Sequence, residues 1–282
     1  MYKLDRKRAV ITGAASGLGR ELALALAAEG WTIGIGDRNV DGAKDTLAMV
    51  ERAGGSGDTF LLDTCDPQQV KEMAGYFWDK WDGIDLLVNN AGIVAAGFVG
   101  EIPLEEWRRA VDTNFLGMLY GCHEFIPRMK ARGGGYIVNV ASLAGIASLQ
   151  EMAPYNTTKA AIISLSETLR GELAPHNIGV TVACPSFFKT NLLDDATFTD
   201  EWEPDFAHAC FDNARMDSSQ IAERIIKGIK RRKLYVVPQP QAKLIWLMKR
   251  FTPTLFHVNM AVANKAGLAK PLVMWMARHG LI

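Results

Sequence analysis

Tyr155 and Lys159 are four residues apart, so on a helix they share one face. A free phenol has a pKa of about 10 and is a poor base at neutral pH. A lysine ammonium beside it favours the phenolate by proximity of charge, which brings the tyrosine into a useful range for proton transfer. Ser142 closes the apolar run that begins at Tyr136, and this run reads as a buried strand. A serine at the carboxyl end of a strand turns its hydroxyl into the crevice where open α/β sheets bind ligands. By itself Tyr-x-x-x-Lys also describes an aromatic beside a solvated lysine, so the surrounding chain has to supply the context.

Residues 7–12 form a short apolar strand that runs directly into Thr12-Gly13-Ala14-Ala15-Ser16-Gly17-Leu18-Gly19. Arg20 to Glu29 is rich in alanine and leucine, has a helical pattern and ends before Gly30. Strand, glycine turn and helix together are the context of a dinucleotide-binding loop. Glycines let the backbone approach a pyrophosphate, and the helix N-terminus offers it free N–H groups and a partial positive charge. Gly13, Ser16, Gly17, Leu18 and Gly19 are the candidate contacts; glycines that only make a turn are the competing reading. Residues 31–36 read as a second strand and end in Asp37-Arg38. An acidic residue there can accept both adenosine ribose hydroxyls and repels a 2′-phosphate, which argues for NAD. Arg38 can receive that phosphate, which argues for NADP. Asp37 could instead cap the helix that starts at Val40.

A helix is expected over 40–53, closed by Gly54-Gly55, and a third strand from Thr59 to Leu62 leads to Asp63-Thr64. Asp66-Pro67 opens the next helix, with proline in its first turn. A fourth strand from Ile84 runs into Asn89-Asn90-Ala91-Gly92, where an asparagine can bridge strand ends and Ala-Gly leaves room for a planar ring. Pro103 starts a long helical stretch that contains Asn114 between Val111 and Phe115. A polar side chain there is expected to bond a neighbouring backbone group. Ile178 to Cys184 reads as the sixth strand and is followed by Pro185 to Thr190. A last strand is expected over 234–238. Alternating strands and helices imply an α/β fold, a parallel sheet of about seven strands wound on both faces. The candidate residues fall at strand carboxyl ends or helix starts, where such sheets bind ligands.

Composition bounds the class. A chain of 282 residues with 49% hydrophobic and 22% charged residues can bury a sizeable core. The net charge is zero, so the total gives no reason to expect nucleic acid. The distribution is uneven. Twelve of the 31 lysines and arginines lie after Glu223 and no acidic residue does, so the chain to Glu223 carries −12 and the remainder +12. Cys65, Cys122, Cys184 and Cys210 have no short metal-ligand or redox spacing and read as reduced thiols, which places the expectation in the cytoplasm. No His/Cys/Asp cluster suggests a metal. The apolar run after the basic N-terminus is too short for a signal peptide, and no run approaches the ~18 residues of a membrane-spanning helix.

Together these motifs resemble the short-chain dehydrogenase/reductase family, in its compact form, over roughly residues 5–238. Thr12-Gly13-x-x-x-Gly17-x-Gly19 matches its cofactor loop. Asn89-Asn90-Ala91-Gly92 matches the segment that braces the sheet beside the cofactor, and Asp63-Thr64 the pair that contacts adenine. Asn114, Ser142, Tyr155 and Lys159 match the catalytic tetrad in order and approximate spacing. Pro185 to Thr190 matches the segment that holds the nicotinamide amide and the pyrophosphate, with Pro185, Phe188 and Thr190 as contacts. Ser186 departs from the family, which usually has glycine there, and this would slightly reshape the nicotinamide pocket. The resemblance implies a Rossmann-like sheet and an NAD(P)-dependent oxidoreductase acting between a secondary alcohol and a ketone; Asp37 makes NAD the preferred cofactor. It gives Tyr155 the hydroxyl proton, Lys159 the nicotinamide ribose and the lowering of the tyrosine pKa, and Ser142 the substrate oxygen. Asn114 would hold a water that connects Lys159 to solvent. It also implies a homodimer or homotetramer, with the helices at about 104–131 and 152–174 at the interface. Two other functions compete: a dinucleotide-binding protein that no longer catalyses, and an NADP-dependent carbonyl reductase using Arg38.

Two segments are particular to this chain. Residues 191–216 correspond to the family's mobile substrate lid, so residues 1–238 are expected to form one catalytic domain. This lid sets Phe198, Trp202, Phe206 and Phe211 among acidic residues, including Asp194 and Asp195. The rings would line a pocket for an apolar substrate or pack the lid onto its own domain. Residues 239–282 are expected as a helical extension, with Leu244, Leu247, Met248 and Phe251 on one side of an amphipathic helix. Its basic flanks allow peripheral membrane contact. The favoured expectation is that the basic extension packs on the acidic body or on a neighbouring subunit, burying Trp246 and Phe251.

Overall fold

The computed structural model describes residues 4–190 and 196–282; residues 191–195 of the expected lid, with Asp194 and Asp195, lie outside the described residues. Seven parallel strands form one sheet in the order β3-β2-β1-β4-β5-β6-β7. They are β1 (Arg8–Thr12), β2 (Thr32–Asp37), β3 (Ser56–Leu61), β4 (Leu86–Asn89), β5 (Gly135–Val140), β6 (Ile178–Ala183) and β7 (Tyr235–Val236). The direction of winding reverses between β1 and β4, and a crevice opens there at the carboxyl ends of the strands. This is the parallel sheet wound on both faces expected from the alternation of elements, and the Rossmann-like fold that the resemblance implies.

The sheet is held by alternation along each strand. Ala9 and Ile11 of β1 face one side, and Val10 faces the other. Leu86 and Val88 of β4 oppose Leu87 in the same way, as Tyr136 and Val138 of β5 oppose Ile137. One face is covered by α1 (Gly17–Ala27) and α9 (Ser218–Lys230), which pack on each other. The other is covered by α3 (Pro67–Lys80), α5 (Gly117–Arg132) and α7 (Ala153–Glu172). Both faces of the central strands are therefore dry, and their sequences are continuous apolar runs rather than alternating ones.

Several boundaries differ from the sequence expectation. β3 begins at Ser56, three residues early, because Ser56, Gly57 and Asp58 pair with Thr32, Ile33 and Gly34 of β2. Here the neighbouring strand overrides weak local propensity. Asp37 does not cap α2 (Val40–Arg52); Asn39 does, its side chain accepting from the backbone N–H of Gly42. Asp66 caps α3 as expected, with Pro67 in the first turn. The long helix after Pro103 is not uniform. It runs as α4 (Leu104–Ala110), a π-helical stretch (Val111–Leu116), and α5.

Beyond β7 three helices follow: α10 (Pro240–Phe251), α11 (Pro253–Lys265) and α12 (Ala269–Arg278). Ala242, Ile245 and Trp246 of α10 pack on the body, with the Trp246 ring 5.1 Å from that of Tyr235. Phe251 is exposed, as are Leu244, Leu247 and Met248. The extension thus buries Trp246 in part but leaves the expected apolar stripe uncovered, because α10 turns its other side to the body. Among the described residues, no helix is long and apolar enough to cross a membrane.

Candidate active site

The glycine turn is shaped by close approach. Gly13 has φ +65°, and a Cβ there would lie 2.8 Å from the Cα of Ala91. A Cβ on Gly17 would lie 2.7 Å from the Thr190 hydroxyl, and one on Gly19 would overlap the Gly13 carbonyl oxygen. Asn90 braces this turn: its amide donates to the carbonyls of Thr12 (3.0 Å) and Gly13 (2.9 Å). The Thr12 hydroxyl accepts in return from the backbone N–H groups of Asn90 and Ala91. Asp37, at the carboxyl end of β2, accepts from the backbone of Ala15 (2.9 Å) and of Asn39 (2.9 Å). It therefore ties the glycine turn to the second strand, a role the sequence did not disclose.

The turn forms the floor of a cleft of about 350 Å³. Every residue expected to contact a dinucleotide lines this cleft except Gly19, which lies behind it and makes room for the turn. Ser16, Gly17 and Leu18, Asp37 and Arg38, Asp63 and Thr64, and Pro185, Phe188 and Thr190 all line it, with the Thr190 hydroxyl directly against Gly17. Ile93, Arg109 and Thr113 line it too and were missed, since nothing in their types or spacing marks them.

Ser142, Tyr155 and Lys159 come together past the end of β5. The Lys159 ammonium donates to the carbonyl of Val140 (3.0 Å) and lies 5.6 Å from the centre of the Tyr155 ring. Ser142 Oγ accepts from the backbone N–H of Ala144 (3.1 Å). Asn114 is fully buried in the π-helical stretch, whose wider turn re-aims a side chain. Its Oδ1 accepts from the N–H of Ile93 (2.8 Å), and its Nδ2 donates to the Ile93 carbonyl (3.0 Å) and the Thr158 hydroxyl (3.2 Å). Asn114 thus satisfies a loop distant in sequence rather than the neighbouring helical backbone that was expected. Gly92 sits between Asn114 and Lys159: a Cβ there would meet Asn114 Oδ1 at 3.0 Å and Lys159 Nζ at 3.2 Å.

Protonation departs from the expectation. Burial pushes the Tyr155 phenol up to about 12, opposed by a hydrogen bond from Ser142. Burial pulls the Lys159 ammonium down to about 8. The expected stabilisation of the phenolate by the ammonium is overcome, because both groups have left water and the ammonium faces the ring and the Val140 carbonyl.

A second cavity of about 190 Å³ adjoins the first and is almost wholly apolar. Phe198, Trp202, Phe206 and Phe211 of the lid all line it, the last three from α8 (Trp202–Asp212). Trp202 also stacks on Phe206 at 4.8 Å, and Phe206 and Phe211 each meet the Phe187 ring edge-on, so for these rings pocket lining and packing hold together. Met260 and Ala263 of α11 and Leu272 and Val273 of α12 close the far side. The sequence reading set the extension apart from the site and missed them. At the rim, Glu151, Asp200 and Glu203 place carboxylate oxygens within 4.8 Å of one another. Lys270 supplies a positive charge there, 3.1 Å from Glu151 and 3.3 Å from Asp200. Glu203 is raised from the usual carboxylate range by burial and by the neighbouring Asp200 and Glu151. Tyr155, Pro185 and Phe188 line both cavities.

Known proteins resemble this chain in sequence and fold. The family model for short chain dehydrogenases matches residues 7–201. The probable oxidoreductase EphD of Mycobacterium tuberculosis is 35% identical over 252 residues, 86% of this chain, but the chain spans only 43% of that relative's length. The cyclohexanol dehydrogenase of an Acinetobacter strain is 32% identical over 192 residues, covering 68% of this chain and 76% of the relative. A short chain dehydrogenase/reductase from Burkholderia phymatum, solved in complex with NAD, superposes with a TM-score of 0.83 at 27% identity, over 90% of this chain and 96% of that one. With a glycine turn, a seven-stranded parallel sheet and a family model that spans most of its length, the chain belongs to the short-chain dehydrogenase/reductase family of oxidoreductases.

Proposed function

We propose that this protein is an NAD-dependent oxidoreductase that interconverts an apolar secondary alcohol and its ketone. One observation carries the reading: Tyr155 stands where the dinucleotide-sized cleft and the apolar cavity meet. A proton-transfer group at that junction reaches a substrate oxygen from the apolar side, while the cleft presents a redox partner from the other. The related cyclohexanol dehydrogenase, whose name specifies a secondary alcohol, supports the substrate class. The NAD complex of the Burkholderia relative supports the cofactor.

The cleft fits a nicotinamide dinucleotide. The close approaches at Gly13, Gly17 and Gly19 leave bare backbone where a pyrophosphate would lie, at the N-terminus of α1. Asp37 stands at the end of β2, where it would take the adenosine ribose and disfavour a 2′-phosphate. Bound there, the dinucleotide supplies the hydride acceptor or donor. The chain's own residues do the rest. In oxidation, Tyr155 acts as the phenolate: the proton that burial holds on the ligand-free phenol leaves first towards Lys159 and solvent, and the phenolic oxygen then takes the substrate hydroxyl proton. Ser142 donates a hydrogen bond to the substrate oxygen and stabilises the charge that develops on it. Lys159 would hold the nicotinamide ribose and, through Asn114, a path for the proton to solvent. Phe188 and Pro185, shared by the two cavities, keep water from the reacting atoms.

Arg38 also lines the cleft and keeps an NADP-dependent carbonyl reductase as the second reading. We further propose a homodimer or homotetramer built on the helices at about 104–131 and 152–174, and a single catalytic domain over 1–238. The test is reduction of NAD and of NADP with secondary alcohols of increasing apolar size. The expected result is turnover with NAD in preference to NADP, with kcat/KM rising as the alcohol fills the apolar cavity. Preference for NADP would move the cofactor reading to Arg38, and no turnover with any alcohol or ketone would overturn the function.

A further inference from the structure

The C-terminal extension leaves a large apolar surface uncovered. Helix α11 has no buried residue, although most of its side chains are apolar. Phe251 is 76% exposed, Val262 61%, Leu268 63% and Trp275 53%. Soluble chains rarely expose so many large apolar side chains on three successive helices unless something covers them. The body of the protein does not, because α10 turns Ala242, Ile245 and Trp246 inward and leaves its other side out.

Charge decides what covers it. Lys243, Arg250, Lys265 and Arg278 are exposed on the same three helices as the apolar side chains. Residues 224–282 contain no acidic residue. A two-fold contact between two copies of the extension would therefore set like charges against like, with no carboxylate of the extension to pair them. An anionic lipid surface meets both needs at once. Its headgroups attract the basic side chains, and its acyl boundary takes the apolar ones.

The same helices form the wall of the apolar cavity. Met260 and Ala263 of α11 and Val273 of α12 point into it, while Val262 and Trp275 are exposed on the same helices. Leu272 lines the cavity and is still 52% exposed, so one side chain reaches from the cavity to the outer surface. We propose that residues 240–278 dock the protein on an anionic lipid bilayer and that the apolar cavity receives a bilayer-dissolved alcohol or ketone across α11 and α12. The substrate half of this proposal rests on the oxidoreductase reading; the docking half does not.

The test is co-sedimentation of the full chain with vesicles of phosphatidylcholine alone or mixed with phosphatidylglycerol, at low and high salt. Two triple variants accompany the wild type: Phe251→Ser/Leu255→Ser/Val262→Ser, and Lys243→Gln/Arg250→Gln/Lys265→Gln. None of these residues lines either cavity. Circular dichroism and NAD titration establish that both variants fold. The wild type is expected to pellet with the mixed vesicles, to be released by salt, and not to pellet with phosphatidylcholine alone. The glutamine variant should bind about a hundredfold more weakly, since each basic residue near the surface contributes roughly a factor of five. The serine variant should not pellet. Both should turn over a short, water-soluble secondary alcohol at the wild-type rate and lose turnover of a long-chain secondary alcohol presented in mixed vesicles. Failure of the wild type to pellet with either vesicle would overturn the docking. So would a wild-type oligomer that the serine variant converts to monomer without any vesicle binding, because a second copy would then cover the face. Wild-type inactivity towards the soluble alcohol would instead overturn the oxidoreductase reading, with the vesicle result judged separately.

Discussion

Tyr155 and Lys159 are both buried, and burial moves their protons in opposite senses, up to about 12 for the phenol and down to about 8 for the ammonium. The lysine has a consequence for stability. Between about pH 8 and the unfolded value of 10.5 the folded chain binds fewer protons at Lys159 than the unfolded chain does. Stability therefore rises with pH across that window, by as much as about 3 kcal/mol. The tyrosine acts in the other direction only above its ordinary value of 10, where the unfolded chain ionises first. Replacing Lys159 with Met should remove the rise: between about pH 8 and 10, urea unfolding of the ligand-free variant should show a flatter stability profile than the wild type. Parallel profiles would mean that Lys159 is not the buried cation described. The identity of Tyr155, Ser142 and Lys159 as a group was legible in the sequence, because helical spacing and the strand end fix their directions. Their resting protonation was not, since it depends on burial that no spacing reveals.

At the scale of elements, the glycine turn shows sequence and structure in close agreement. Strand, turn and helix were each marked by local pattern, and the close approaches explain why side chains are missing there. Gly19 makes the point most sharply, because it touches no cavity and still sets the turn. Gly19→Ala should cost about 1–3 kcal/mol of stability through overpacking. It should also weaken NAD measurably by calorimetric titration, with Tyr155 and Ser142 undisturbed. Unchanged melting and unchanged NAD affinity would show that the turn can yield. Other elements were less legible. The π-helical stretch that aims Asn114 at Ile93 has no sequence signal, because its wide turn answers to the loop it meets. The early start of β3 likewise comes from β2, not from Ser56-Gly57-Asp58.

At the scale of the molecule, the parallel sheet wound on both faces followed from the alternation of strands and helices, and the cleft lies at the strand ends where such sheets bind ligands. The composition of the apolar cavity did not follow in this way. It is assembled from the lid helix α8 and from α11 and α12, which lie far apart in sequence and meet only through tertiary packing. The extension therefore forms part of the cavity wall, and on the proposed function changes in it should alter specificity. Val273→Trp should fill part of the cavity, raise KM for bulky secondary alcohols and spare small ones, with NAD affinity unchanged in fluorescence titration. Equal kinetics across the alcohol series would place the substrate elsewhere.

The central claim is that Tyr155, at the junction of the two cavities, moves the substrate proton. It is tested most directly by single-turnover kinetics of Tyr155→Phe with NAD and a secondary alcohol, alongside an NAD titration of the same variant. The account predicts that NAD still binds with near wild-type affinity while the chemical step slows by about 10²–10⁴-fold, the usual contribution of a positioned proton-transfer group. A chemical step at the wild-type rate in the folded, NAD-binding variant would contradict it.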